Sequence, residues 1–431
     1  MMKNTLYSIL FLLVVGNLLA QQTPANKQSH AYSIEGATAH IGNGQVIENS
    51  LLIFSNGKIT FIGSAKNKIA RQGKVINAKD KHVYPGFIAA NSTLGLVEID
   101  AVKASDDQKE IGIMNPHIRS LIAYNTESKV IESMRPNGVL MAQISPRGGT
   151  LSGMSSIVQF DAWNWEDAAI KMDDGIHMNW PGSFTQGQVQ LGKDVVMKPN
   201  LKYPQNLKKI KSYLTNAKNY LEGDNTKAHL PYQATKGLFN GSKKLFIHVN
   251  GQKEIIDAVT TCKQSGIKNI VIIHADGANY IADFLLKNEV SVILDRPHKN
   301  PNSEDEGYDD TYTIAKKLID KGLLVCIGME GEMERMSSRN LPFYAGTFAA
   351  HGLDKETALQ LITFNTAKIL GIDNLVGSLE IGKDATLFIS KGDALDMRGN
   401  ILTDAFIQGR KISLETHQTK LWKRYSNKYS K

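Results

Sequence analysis

Two histidines and a glutamate occupy the ends of predicted β-strands. His248 ends the apolar run "KKLFIHVN", and His274 ends the next such run, "IKNIVIIHADG", 26 residues later. Glu330 follows a third run, "LLVCIGME". Because neighbouring parallel strands end at the same edge of a sheet, the two imidazoles can meet over one point beside a carboxylate. Two interpretations follow: a metal site that activates water, or two histidines hydrogen-bonded within the core.

The elements that position these residues are alternating strands and helices. Apolar strand-like runs separated by amphipathic segments predict a parallel sheet covered by helices. The run "VSVILD" is a further predicted strand, and earlier strands are predicted at "VYPGFIA", "GVLMAQIS", "SSIVQFD" and "GIHMNWP", which brings the total to eight. This pattern favours an α/β fold of the (β/α)8 TIM-barrel type. An open doubly wound sheet is the alternative, weakened by the lack of a glycine fingerprint between a strand and a helix.

Both ends of the chain have a different sequence pattern from the middle. The stretches "IENSLLIFSNGKITFIGS" and "VGSLEIGKDATLFISKGD" are short strand-like runs broken by glycine turns. We expect the two ends to form one small β-sandwich beside the barrel. The predicted divisions are a signal peptide (1–20), the first sandwich part (21–84), the barrel (85–373, with an insertion at about 181–241), the second sandwich part (374–415) and a basic tail (416–431).

The first twenty residues have the pattern of a secretory signal. Lys3 precedes an almost wholly apolar run that ends at Ala20, where we expect cleavage. The run is shorter than the roughly 20 apolar residues that span a bilayer, and no later segment is longer or more apolar. We therefore predict export to the periplasm or the medium without stable membrane insertion.

Composition excludes several other classes of protein. Two cysteines in 431 residues do not make a disulfide framework, and we expect both to be buried free thiols. The net charge is +8, but the basic residues are scattered and accompany no nucleic-acid-binding motif. We expect a small-molecule partner and no nucleic acid.

Several stretches resemble the amidohydrolase superfamily, especially its imidazolonepropionase-like branch. They are "GATAHIGNGQVIENSLLIFSNGKITFIG", "VYPGFIA", "FIHVN", "VIIHADG" and, most specifically, "LITFNTAKILGIDNLVGSLEIGKDATLFI". The resemblance covers nearly the whole chain after the signal, except the insertion. It implies a metal-dependent (β/α)8 barrel whose site lies at the C-terminal mouth, with a sandwich made from both chain ends.

The resemblance also implies roles for the residues at the strand ends. His248 and His274 correspond to metal ligands, and Glu330 stands where the family has an aspartate that holds the water and transfers a proton. Glutamate is one methylene longer, and Glu332 is the alternative for this position; a solvated acidic loop without a role in the site is the other interpretation. Relatives carry Asp-x-His-x-His on the first strand, where this chain has Ala89, Asn91 and Thr93.

These departures predict a reduced metal site. Amide and hydroxyl oxygens are poor ligands for zinc, so the first of the usual two metal positions is expected to be missing. We expect at most one divalent metal, zinc in the first instance, or none. Asn91, Thr93, His177 and Arg147, the last in the glycine-rich "SPRGGTLSG", are candidate substrate contacts. For His177 the alternatives are a third metal ligand or a wall residue, and for the loop the alternative is a plain turn.

The resulting prediction is a hydrolase for non-peptide carbon–nitrogen bonds, in a cyclic or N-acyl amide. The alternative is an inactive barrel that acts as a binding protein or as the partner of an active, related subunit. The first-strand residues favour the alternative, and the two histidines with a late carboxylate favour the enzyme. Homo- or hetero-oligomers are compatible with either.

Overall fold

The computed structural model describes residues 23–186, 197–223, 227–301, 306–331 and 333–430. The predicted signal segment lies outside the described residues. The strands are β1 (Tyr32–Glu35), β2 (Thr38–His40), β3 (Val46–Ile47), β4 (Ser50–Ser55), β5 (Lys58–Ser64), β6 (Lys74–Asn77), β7 (His82–Pro85), β8 (Phe87–Ser92), β9 (Val139–Ile144), β10 (Leu151–Gln159), β11 (Ala169–Asn179), β12 (Phe184–Gln186), β13 (Met197–Pro199), β14 (Lys244–Val249), β15 (Asn269–His274), β16 (Ser291–Leu294), β17 (Val325–Ile327), β18 (Leu387–Ser390), β19 (Leu402–Ile407) and β20 (Arg410–Lys411).

The helices connect and cover these strands. They are α1 (Lys129–Glu132), α2 (Trp165–Ala168), α3 (Tyr203–Glu222), α4 (Leu230–Ala234), α5 (Lys236–Asn240), α6 (Gln252–Gln264), α7 (Ala282–Lys287), α8 (Asp310–Asp320), α9 (Glu334–Ser337), α10 (Leu341–Ala350), α11 (Lys355–Gln360), α12 (Phe364–Leu370) and α13 (His417–Tyr429). Within the described parts of the chain, no helix has the length and apolar character needed to cross a bilayer.

Eight strands form the central sheet, in the order β17-β16-β15-β14-β11-β10-β9-β8. A bridge between Ala90 and Gly328 joins the first strand to the last and nearly closes the barrel. The apolar strands face helices outside and each other inside, which is why they read as continuous hydrophobic runs. The predicted TIM-like barrel is confirmed.

One strand departs from the parallel arrangement expected for the barrel. Strand β10 runs antiparallel to both β9 and β11. Only residues 145–150 separate β9 from β10, which is too short for a crossover helix but enough for a hairpin turn. Gly148 and Gly149 adopt φ of 82° and 65° there, a conformation that favours glycine. The first part of the barrel is therefore irregular, and the part from β14 to β17 is parallel.

The two chain ends form one sandwich, as predicted. One sheet has the order β5-β4-β1-β6, and the other has the order β20-β19-β18-β7-β2-β3. In the second sheet β18, from the C-terminal part, pairs with β7, from the N-terminal part. Their shared core includes Ile34 and Phe54 from one end and Leu387 and Phe406 from the other. The exact domain limits stay predictions.

The predicted insertion is partly helical where it is described. Helix α3 buries Ile210, Leu214 and Ala217, which recur every three or four residues and so form one apolar face. The β12–β13 hairpin precedes it. Both cysteines, Cys262 and Cys326, are buried and free, as expected.

Candidate metal centre at the barrel mouth

The structure brings His248, His274 and Glu330 together at one end of the barrel. Strands β14 and β15 are neighbours, and their register pairs Val249 with His274. The candidate ligand atoms of the three residues all lie within 4.8 Å of one another. Glu330 Oε2 is 3.0 Å from His248 Nδ1 and 3.5 Å from His274 Nε2. These distances are those of side chains that converge on one point.

His274 is held by the backbone and by a carboxylate. Its φ is 74°, and Ala275 follows at 59°, so the chain enters the left-handed region immediately after β15. Non-glycine residues adopt this region rarely, and functional sites are where such strain concentrates. His274 Nδ1 lies 2.8 Å from Asp295 Oδ1. Burial opposes the charged imidazole, but the hydrogen bond and charge of Asp295, with Glu330, raise the pKa of His274.

His248 contacts a third histidine deeper in the barrel. His248 Nε2 lies 3.0 Å from His177 Nδ1 on β11. Burial lowers the pKa of both imidazoles. His248 Nδ1 is close to Glu330 but poorly aligned with it. It and His177 Nε2 are buried nitrogens without a hydrogen-bond partner among the described residues, which is uncommon in native proteins.

Positive charge and hydrogen bonds surround Glu330. Asn91 Nδ2 donates to Glu330 Oε2 at 2.6 Å, and Arg147 Nε lies 3.6 Å from Oε1. Although burial acts in the opposite direction, Arg147 and the two imidazoles hold the pKa of Glu330 far below its usual range. The carboxylate is therefore ionised, as a metal ligand must be.

Asn91 stands where the resemblance implies a first-strand histidine. It lies at the end of β8 with φ of 49°. Arg147 Nη1 donates to its side-chain oxygen and Nη2 to its backbone oxygen, each at 3.0 Å. The Asn91 backbone N–H donates to Gln143 Oε1 at 3.1 Å. This asparagine is fully engaged and links Arg147 to Glu330.

Thr93 is engaged with a second buried carboxylate. Its hydroxyl donates to Glu334 Oε1 at 3.0 Å, and its backbone N–H contacts the same oxygen. Arg147 Nη2 lies 3.3 Å from Glu334 Oε2. Burial raises the pKa of Glu334, and Arg147 and Thr93 only partly offset this effect. The guanidinium of Arg147 thus pairs with both Glu330 and Glu334.

The donor set at the mouth suits one divalent cation. Two imidazoles and a carboxylate are typical zinc ligands. Asp295 holds His274 through Nδ1, which leaves Nε2 facing the other ligands; this is the usual arrangement behind metal-binding histidines. His248 Nδ1, which lies 3.0 Å from Glu330 Oε2, faces the same point. In the described ranges these three residues form the one such group of histidine, cysteine or acidic side chains.

The predicted substrate contacts differ in their access to solvent. Arg147 lines an open cleft at the mouth, together with Lys109, Asn179, Glu334 and other residues of the surrounding loops. Asn91, Thr93 and His177 are completely buried behind it. Arg147 is thus the predicted contact that a ligand in the cleft reaches directly. Glu332 is outside the described residues, and Glu330 is the glutamate that the structure places beside the histidines.

Two residues of the site were not singled out from sequence. Asp295 directly follows β16 and ends the run "VSVILD", so its position after a strand was an available signal. Glu334 lies in an acidic loop with Glu330, where sequence spacing favours a solvated loop. Its burial depends on Arg147, which is 187 residues away, and no local pattern reveals that.

Comparison with known proteins supports the same family. A model of the amidohydrolase family matches residues 202–416, which include all three members of the cluster. The solved structure of an amidohydrolase from Thermotoga maritima is 22% identical, with a TM-score of 0.76 over 89% of this chain and 99% of its own. Among curated proteins, none matches this sequence.

More distant structures share the fold. A molinate hydrolase is 13% identical with a TM-score of 0.54, over 90% of this chain and 96% of its own. An adenosine deaminase from Xanthomonas campestris with bound zinc is 15% identical with a TM-score of 0.52, over 93% and 97%. The imidazolonepropionase-like branch stays a prediction. With the matched sequence, the common fold and the clustered ligands, this chain belongs to the amidohydrolase superfamily of hydrolases.

Proposed function

We propose that the protein is a hydrolase that binds one divalent cation, zinc in the first instance, through His248, His274 and Glu330. The observation that carries this proposal is the convergence of the three candidate ligands within 4.8 Å at the barrel mouth. The substrate class we propose is a cyclic or N-acyl amide, whose non-peptide carbon–nitrogen bond is cleaved. When bound, such a cation supplies a hydroxide near neutral pH by lowering the pKa of water.

The surrounding residues orient the site and set its charge. Asp295 accepts a hydrogen bond from His274 and so fixes its tautomer and ring position. Asn91 and Arg147 hold the two oxygens of Glu330 in place. We assign Glu330 to cation binding, because a carboxylate held ionised by neighbouring positive charge accepts a proton poorly. Its role as general base and acid stays a prediction from the resemblance.

The first strand argues for one cation rather than two. The guanidinium of Arg147 lies beside Asn91 and Glu330, on the side of the site where relatives have their first-strand ligands. A second divalent cation there would be repelled by this positive charge. Asn91 and Thr93 offer only neutral oxygens, and these already bind protein groups.

Activity assays on the full chain test the proposal. Cation-loaded and chelator-treated protein would be compared on N-acyl amino acids, cyclic amides and Xaa-Pro dipeptides; the dipeptides are included because one structural neighbour is a prolidase. We expect hydrolysis of an amide in the first two classes, abolished by the chelator and by Glu330→Gln. Cleavage of the dipeptides alone would refute the non-peptide assignment.

One observation favours the second candidate, a binding protein without catalysis. Arg147 pairs with both glutamates, so the site is charge-compensated even without a cation. Failure of the cation-loaded chain to hydrolyse any panel member, combined with saturable binding of one of them, would favour this candidate.

Export and assembly are separate proposals. Cleavage near Ala20 would give a mature chain that begins at or near Gln21, in the periplasm or the medium. N-terminal sequencing of native protein tests this, and material that retains Met1 would contradict it. Light scattering of the purified chain tests whether it associates with itself.

A further inference from the structure

The last helix, α13, has no buried residue. It begins with a capping box, in which Thr416 and Thr419 bond to each other's backbone N–H groups. From His417 to Tyr429 every side chain is exposed except that of Ser426, which is half-buried. The helix lies beyond the part of the chain that matches the amidohydrolase family, which ends at residue 416. The helix therefore contributes no buried side chain to the barrel or to the sandwich.

One face of α13 is apolar and aromatic. Leu421, Tyr425 and Tyr429 are four residues apart, and Trp422 lies on the same side, three residues before Tyr425. Trp422 is 69% exposed and Tyr429 is 73% exposed. Burial of such large side chains against a partner is the main source of binding energy that a helix of this kind offers.

The adjoining face of α13 is cationic. Lys420, Arg424 and Lys428 are also four residues apart and form a stripe directly beside the apolar one. The helix contains no acidic residue. Lys423 pairs with Glu415, but the three residues of the stripe form no ion pair with any described residue. The charge of this face is thus available to an anionic partner.

We propose that α13 binds the surface of an anionic lipid membrane, with its axis in the plane of the interface. A cationic stripe beside Trp, Tyr and Leu is the composition of interfacial helices: the cations meet lipid phosphates and the aromatic rings lie at the headgroup level. Trp and Tyr have an apolar body and a polar tip, which suits this depth. The short helix adsorbs without spanning, and the proposal is independent of the hydrolase function.

Vesicle flotation of the full-length chain tests this binding. The probes are vesicles of phosphatidylcholine alone and of phosphatidylcholine mixed with phosphatidylglycerol. We expect binding to the mixed vesicles that weakens as salt is raised. Lys420→Gln, Arg424→Gln and Lys428→Gln should each weaken it about fivefold.

The apolar face is tested by Trp422→Ala, with Trp163→Ala as its matched control. Trp163 is 67% exposed but lies far from α13 in the chain. We expect the fluorescence of the wild type to shift to shorter wavelength on binding, because Trp422 enters a less polar environment. The shift should vanish in Trp422→Ala and persist in Trp163→Ala.

A second control addresses charge alone. Lys208, Lys209 and Lys211 are exposed on α3, and their joint replacement by Gln removes three cations from another basic helix. This variant should bind mixed vesicles as the wild type does, whereas joint replacement of the α13 stripe should not. Equal weakening by both triple variants would overturn the proposal, as would no binding at low salt. Self-association of the chain that is lost with Trp422→Ala, without vesicle binding, would assign the helix to a second copy instead.

Discussion

The two parts of the barrel end their strands in different chemistry. Strands β14 to β17 are parallel, and the residues at or after their ends are His248, His274, Asp295 and Glu330. Strands β8 to β10 include an antiparallel strand, and the loop between β9 and β10 carries Arg147. The later part supplies the candidate metal ligands, and the earlier part supplies the guanidinium of Arg147 and neutral amides.

This difference is the structural basis for our proposal that the site binds one cation rather than two. The family match covers the later part of the chain, where the candidate ligands lie. In the earlier part, Asn91 and Thr93 turn inward to two glutamates, and Arg147 neutralises both. In the proposed one-cation site, the guanidinium supplies positive charge where a second cation would otherwise do so.

The largest effect is expected from removing a ligand in the later part. His248→Ala and His274→Ala each leave two of three ligands, so cation affinity should fall by at least about 100-fold, more than for loss of an outer hydrogen bond. Hydrolysis should be lost with it. Isothermal titration with zinc measures the change, and the exposed His30→Ala serves as control. Retention of wild-type affinity by both variants would remove these histidines from the site.

Arg147→Gln probes the earlier part. It leaves the buried carboxylate of Glu334 without its cation, and breaking such a pair costs about 3–5 kcal/mol of unfolding free energy. Urea unfolding measures this loss. Arg398→Gln is the matched control, because Arg398 is 91% exposed and pairs locally, so its removal should cost less than about 1 kcal/mol. Similar small losses of unfolding free energy in both variants would show that Arg147 does not neutralise the buried Glu334.

Asp295→Asn tests the support behind His274. The substitution keeps the shape but removes the carboxylate that accepts from His274 Nδ1. Zinc affinity should decrease by about 10–100-fold while the fold is retained. Asp320→Asn, at an exposed helical pair, should leave the affinity unchanged. An unchanged zinc affinity in Asp295→Asn would show that the contact between Asp295 and His274 does not support metal binding.

The smallest effect concerns Asp174, beneath the earlier part. It accepts hydrogen bonds from Ser155 at 2.7 Å and from Gln143 at 3.1 Å, yet burial raises its pKa above 3.8. Because the folded-state pKa exceeds the unfolded one, the stability that Asp174 contributes decreases as the pH rises above about that unfolded value, until the folded pKa is passed. Asp174→Asn should therefore gain stability relative to wild type as the pH increases.

Urea unfolding of both chains across a pH series checks the sign. The amide that Asp174→Asn introduces cannot ionise, so the variant lacks this pH dependence. The hydrogen bond from the Asn91 backbone N–H to Gln143 does not involve Asp174. A relative loss of stability by the variant with rising pH would contradict the assignment of burial as the dominant cause.

Much of the architecture could be predicted because it is encoded locally. Apolar runs that alternate with amphipathic segments predicted all eight barrel strands. Short strands broken by glycine turns at both chain ends predicted the sandwich. The direction of β10 was missed because alternation in sequence does not report strand direction; the short loop before it was the overlooked signal. His248 and His274 could be proposed as site residues because each lies at the end of a strand in the parallel part.

The remaining features of the site depend on distant pairs. Thr93 and Glu334 are 241 residues apart in sequence, and Arg147 and Glu334 are 187 apart. Such contacts are created by barrel closure, which brings the first strand beside the last. Sequence indicated that the first-strand ligands were replaced, but not that the replacements would be buried against carboxylates.

The most direct test of the account is the number of cations bound by the wild-type chain. The purified full chain would be loaded with zinc, freed of loosely bound ions by dialysis and analysed for metal content together with His248→Ala. The account predicts one cation per chain in the wild type and none in the variant. Two per chain would contradict the role given to Arg147 and the first strand, and none under any loading condition would contradict the metal centre itself.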